Sequence, residues 1–190
     1  GGSMNRFVTV NLDKYYNHKI IYRQEPKEKI GKEIGLDNVF ILRSDIKLNE
    51  HQVLDEVDFD FCFKKFDNVV CDRQRIQINA QAQVAKIHFV AFSYWGDTNE
   101  YFKLIYDDLS EENIRVPFTD WSHMAYGCID VSFDYDGKTT TIRKFITTGA
   151  WKHMAYLHHI TCETAQRKTV KEIVLPDNMF IHIFAITLEN

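Results

Sequence analysis

Seven residues, Val57-Asp58-Phe59-Asp60-Phe61-Cys62-Phe63, put a large apolar side chain at every odd position and a smaller, mostly polar one between. Successive side chains of a strand point to opposite faces, so a run like this buries one face and wets the other. Ile129, Val131, Phe133 and Tyr135 repeat the pattern. Asp136-Gly137 follows, a pair that accepts the positive φ of a tight hairpin turn, and Thr139–Ile146 is the expected return strand. Such a period of two, recurring along a chain without long amphipathic helical stretches, predicts an all-β antiparallel sandwich.

Two further runs are apolar on both faces. In Val84–Phe92, Ala85, Ile87, Phe89 and Ala91 share one side. Val84, Val90 and Phe92 share the other with Lys86 and His88. Phe180–Leu188 is built in the same way. Strands of this kind sit in the middle of a sheet that is covered on both sides. Pro117 and Pro176 are expected at strand ends or turns, where a missing N–H costs little. The N-terminal third is less regular. Gln24–Lys32 reads as a charged loop or short helical turn, and Gly31 and Gly35 break any longer helix.

The strand-like runs Val84–Ser93 and Glu100–Tyr106 are joined by Tyr94-Trp95-Gly96-Asp97, which reads as a hairpin tip. A third run, Ile114–Phe118, leads to Asp120-Trp121, and the chain closes with Ala185-Ile186-Thr187-Leu188. The strand hydrophobics, Trp-Gly turn, Asp-Trp pair and this ending resemble the galactose-binding-like β-sandwich modules that accompany bacterial glycoside hydrolases. The resemblance covers about the C-terminal two-thirds of the chain. It implies a jelly-roll scaffold and a non-catalytic role in binding a carbohydrate or glycan-derived ligand. One turn departs from the pattern. Tyr106-Asp107 is followed by Asp108-Leu109 where the family has Gly, so no ligand role is carried over to it.

The 190 residues suit a single domain, expected to run from Met4 to Asn190 after an expression scar, Gly1-Gly2-Ser3. A net charge of -4 is of the wrong sign for a phosphate-binding surface, which argues against nucleic acid. No apolar run is long enough to cross a bilayer, and no secretory leader follows Met4, so a cytoplasmic protein is expected. Cys62, Cys71, Cys128 and Cys162 are scattered without C-x-x-C spacing, which predicts four reduced thiols and no zinc ribbon. No cofactor is expected.

Catalytic signatures are missing. There is no G-x-S-x-G elbow, and no sequence-local partner activates a cysteine. His158 and His159 are adjacent on an expected strand, so they point to opposite faces and do not share a metal. His182 is expected as a hydrogen-bonded core histidine. The pairs Asp107-Asp108 and Glu111-Glu112 read as solvated turn residues. A repeated W-x-H-M-A-Y, at Trp121–Tyr126 and Trp151–Tyr156, is the most unusual local feature. Sugars offer an apolar C–H face to an aromatic ring and hydroxyls to polar side chains. The candidate ligand-binding residues are therefore Trp95, Asp97, Asn99, Trp121, His123, Trp151, Lys152 and His153. The expectation is that at least two of the three loops carrying them meet at one end of the sandwich. The alternatives are a small hydrolase or lyase using His123 and His153 with Asp97 or Asp120, and a structural subunit that binds a protein partner.

Overall fold

The computed structural model describes residues 6–24, 40–44, 46, 48–81, 83–121, 133–134, 139–148 and 154–190; of 133–134, 139–148 and 154–155 it describes the backbone. The chain lays down β1 (Phe7–Thr9), β2 (Ile21–Tyr22), β3 (Ile41–Leu42), β4 (His51–Leu54), β5 (Val57–Asp60), β6 (Val69–Asp72) and β7 (Arg75–Gln77). There follow β8 (Lys86–Ser93), β9 (Thr98–Tyr106), β10 (Glu111–Phe118), β11 (Phe133–Asp134) and β12 (Thr139–Thr148). The last three are β13 (Met154–Glu163), β14 (Val170–Val174) and β15 (Asp177–Glu189).

These strands build the antiparallel sandwich expected from the alternation. The larger sheet runs β1-β15-β8-β13-β12-β11, with β6 also paired to β15. The smaller runs β10-β9-β14-β7. The apolar cluster between the sheets takes Ile87, Phe89 and Ala91 from β8 and Ile183, Ile186 and Leu188 from β15. The smaller sheet answers with Phe102, Leu104, Val116, Phe118 and Ile173. Phe89 lies 5.1 Å from the ring of Phe102 and 6.4 Å from that of Phe118.

The other face of β8 is covered too, as its composition requires. Val90 and Phe92 belong to a second cluster with Phe184, Ala185 and Leu157 of the same sheet. Over them lie Ile20, Ile21, Ile41, Ile46 and Leu48, and the β4–β5 hairpin with Val57, Phe59 and Phe61. The irregular N-terminal third is thus a third layer on the outer face of the larger sheet. Its β2 and β3 pair in parallel, a long-range contact that periodicity does not reveal. The alternating run Val57–Phe63 is a strand only to Asp60, although Phe61 and Phe63 carry its apolar side onward in a stacked pair.

One expectation is corrected. Tyr94–Asp97 is not a hairpin tip, because β8 and β9 belong to opposite sheets. The turn carries the chain over the edge of the sandwich. The hairpin partner of β9 is β10, in register from Glu111↔Ile105 to Phe118↔Thr98. Pro117 sits near the end of β10, an edge strand, and Pro176 lies between β14 and β15. β11 pairs β12 antiparallel as expected, Phe133 opposite Thr141, while Asp136-Gly137 lies outside the described residues. Cys71 and Cys162 are buried and Cys62 is half-buried; Cys128 lies outside the described residues. Among the described residues no helix is long and apolar enough to cross a membrane.

Candidate functional site

Among the described residues, each end of β8 gathers side chains capable of recognition. The first is the corner that replaces the expected hairpin. Ser93, the last residue of β8, bridges Asp120, just past the end of β10. The Ser93 N–H donates to the Thr119 carbonyl at 3.0 Å, and the Trp121 N–H donates to the Ser93 carbonyl at 2.8 Å. Here the two sheets are stitched together. Trp95 and Gly96 both take positive φ, 66° and 102°, which glycine accepts freely and tryptophan does not. Two carboxylates hold that conformation. Asp120 accepts from the Gly96 N–H at 2.6 Å, and Asp97 accepts from the Asp120 N–H at 2.8 Å.

The corner brings Trp95, Asp97 and Trp121 together, with opposite roles for the two indoles. Trp121 is buried and stacks on Tyr94 at 6.0 Å and 21°. Trp95 is 73% exposed. Asp97 and Asn99 are exposed, Asn99 as a member of β9 opposite Pro117 and not as a loop residue. The Tyr94 N–H donates to the Phe180 carbonyl at 2.8 Å, so the exposed Met179 and Phe180 at the start of β15 adjoin the corner. His123, Trp151, Lys152 and His153 lie outside the described residues. Asp97 and Asp120, the carboxylates of the hydrolase alternative, are both engaged in backbone hydrogen bonds.

The second place is at the opposite end of β8, on the outer face of the larger sheet. The register puts Phe7, Glu189 and Lys86 on one rung and Thr9, Thr187, His88 and Thr161 on the next rung of the same face. The apolar outer face therefore becomes polar here. The β4–β5 hairpin covers it: Thr187 Oγ1 donates to the Asp58 carbonyl at 2.6 Å, and the Phe59 ring stands edge-on to His88 and His159. The hairpin turns through Asp55 and Glu56, both at positive φ (50° and 67°), as a two-residue type I′ loop demands. That turn sets Asp55 above His159, whose Nδ1 donates to Asp55 Oδ2 at 3.0 Å. His159 Nε2 in turn lies 2.9 Å from His88 Nδ1, which is also 2.9 Å from Thr161 Oγ1.

His88 and Glu189 line a cavity of about 260 Å³, walled by Phe7 and Val57 and rimmed by Arg6 and Lys86. Glu189 is buried, with Arg6 Nη2 at 3.3 Å and Lys86 Nζ at 3.8 Å. Burial, then the neighbouring His159, Lys86 and Arg6, pushes the His88 pKa down to about 3, so its imidazole is neutral at ordinary pH. Sequence reasoning passed over this site. Its one local signal is the intrusion of Lys86 and His88 into a strand otherwise apolar on both faces. That His159 and Glu189 face them is a matter of strand order.

A third polar cluster is structural. Asn68 Oδ1 lies 2.8 Å from His182 Nδ1 and 3.1 Å from His18 Nδ1, so His182 is the hydrogen-bonded core histidine expected. Asp67 accepts from the backbone N–H groups of Ile20 and Ile21 and from Asn68 Nδ2. This network pins the N-terminal layer to β6 and β15. Glu112 is not a free turn carboxylate either. It accepts from the Tyr106 hydroxyl at 2.6 Å. Burial, reinforced by Glu112, raises the Tyr106 pKa. Among the described residues no group of three His, Cys, Asp or Glu side chains is placed to hold a metal ion.

Comparison with known families matches residues 47–190 to the AziU2-like beta-sandwich domain. The match covers most of the chain, from the β4–β5 hairpin to the C-terminal strand, leaving out β1 to β3, and the chain belongs to that family. No curated protein matches the chain.

Proposed function

We propose that this AziU2-like β-sandwich protein binds a carbohydrate or glycan-derived ligand without catalysis, on a jelly-roll scaffold of the galactose-binding kind. The carrying observation is Trp95, an indole 73% exposed on a corner that backbone and carboxylate hydrogen bonds hold rigid. An exposed ring on a rigid mount stacks on a sugar face at little entropic cost. Asp97 and Asn99 beside it supply hydroxyl partners. Burial of Trp121 under Tyr94 assigns that indole to the mount instead of the binding face.

Met179 and Phe180, exposed beside the corner, favour a second reading in which a protein partner docks there, since clustered exposed apolar side chains mark interfaces. A glycan array and calorimetry on Trp95→Ala separate the two. Sugar binding predicts a saturable glycan signal that Trp95→Ala abolishes while the thermal melt is unchanged. Absence of any glycan signal, or equal affinity in Trp95→Ala, removes the carbohydrate reading.

A further inference from the structure

The cavity at the far end of β8 ends in two hydrogen-bond acceptors with no donor between them. Protonation follows from the chain of contacts. The Asp55 carboxylate only accepts, so His159 carries its proton on Nδ1. One proton fits the 2.9 Å contact between the rings, and we place it on His88 Nδ1, which donates to His159 Nε2. Neutral His88 is left with a bare Nε2. That atom is buried and has no hydrogen-bond partner. Glu189 Oε1, another acceptor, lies 3.8 Å from it, beyond hydrogen-bonding distance, and 3.3 Å from Arg6 Nη2.

Several ligand chemistries fail at this pair. A metal ion would find two protein ligands, with Arg6 and Lys86 already against one of them. An ammonium would meet the same two cations. An anion would face Glu189 and a bare imidazole nitrogen. Two adjacent neutral hydroxyls match the chemistry of this pair: one would donate to His88 Nε2, once a small shift of the cavity wall admits it to that buried atom, and the other to Glu189, while their oxygens accept from Arg6 or Lys86. The Phe7 wall offers an apolar surface to the ring that carries them. The volume of about 260 Å³ is smaller than a drug-sized pocket and larger than a water site.

We infer that the His88–Glu189 cavity is a binding subsite for the vicinal diol of a single neutral sugar ring. It is separate from the Trp95 corner and does not depend on it. The Asp55–His159 pair acts as a positioning device that keeps His88 Nε2 an acceptor.

The test uses the full chain with ¹⁵N-labelled histidine and long-range ¹H–¹⁵N spectra at neutral pH. The probes are cis-cyclohexane-1,2-diol and the methyl glycosides of glucose and galactose, with cyclohexanol as the single-hydroxyl control. The expected result is an unprotonated His88 Nε2 whose resonance shifts saturably with the diol and at least one glycoside, and not with cyclohexanol. Glu189→Gln should weaken the response about tenfold or more, and Trp95→Ala should leave it unchanged. If Glu189→Gln fails to fold, the comparison of diol with cyclohexanol in the unaltered protein decides. A protonated Nε2, an equal response to cyclohexanol, or no saturation up to about 100 mM, far above a millimolar Kd, would overturn the inference.

Discussion

His88 Nδ1 lies 2.9 Å from His159 Nε2 across neighbouring strands, a distance at which one proton is shared and two are excluded. Each ring is fixed by a neighbour it cannot reach through local sequence. The pair is buried beneath Phe59, so its charge state bears on stability as well as on the cavity.

Acid should destabilise the fold through two buried histidines, His88 and His182. Burial, with His159, Lys86 and Arg6, holds His88 near a pKa of about 3, and burial, with His18, holds His182 well below 6.5. Between about 3 and 6.5 the unfolded chain binds protons that the folded chain refuses. Stability then rises with pH, by about 1.4 kcal/mol per pH unit for each such histidine. Asp67 opposes this. Its burial raises the pKa from 3.8 to about 6, so between those values the folded chain keeps a proton that the unfolded chain has lost. Stability from that group falls as pH rises. His51, whose pKa the Asp60 carboxylate raises, also opposes the acid loss, but weakly because it is exposed, so the two buried histidines leave a net loss of stability on acidification from pH 6.5 to 4. Asp67→Asn should steepen it. Urea melts across that range check both statements, and a flat or inverted profile would contradict them.

The corner predicts a clear ranking of substitutions. Asp120 is buried and its carboxylate accepts from the Gly96 N–H at 2.6 Å, so Asp120→Ala should cost about 1.5–3 kcal/mol. Exposed Asp97 should cost less, about 1 kcal/mol. A Cβ at Gly96 would meet nothing within 4 Å. Any loss in Gly96→Ala therefore reports the positive φ alone, about 1 kcal/mol or more. Equilibrium unfolding of the three variants gives the order, and a neutral Asp120→Ala would show that the carboxylate does not hold the corner.

Glu56 is a place to gain stability. It occupies φ 67° in the β4–β5 turn, where a type I′ loop favours glycine at its second position. Glu56→Gly relieves left-handed strain and loses some unfolded-state restriction, for an expected net gain of up to about 1 kcal/mol. A Tm lower than that of the unaltered protein would mean that the Glu56 side chain makes a contribution larger than the strain.

The all-β class, the run of strands from β8 to β10 and the both-face burial of β8 and β15 were legible in the sequence. They rest on side-chain alternation, a property of neighbouring residues. Phe59, Phe61, Ile87, Phe89, Leu104, Ile183 and Ala185 are buried as their periodicity predicts. Which strand lies beside which is set by contacts between distant residues, and there local pattern is silent. The turn at Trp95 looks like a hairpin in isolation and becomes a crossover only because Asp120, 24 residues after Gly96, caps it from the other sheet. The fates of Trp95 and Trp121, one exposed and one buried, follow from that crossover and not from their flanking residues. Glu189, His88 and His159 come from the successive sheet neighbours β15, β8 and β13, and Asp55 from the β4–β5 turn. Only the order β15-β8-β13 and the layer folded over it bring them together.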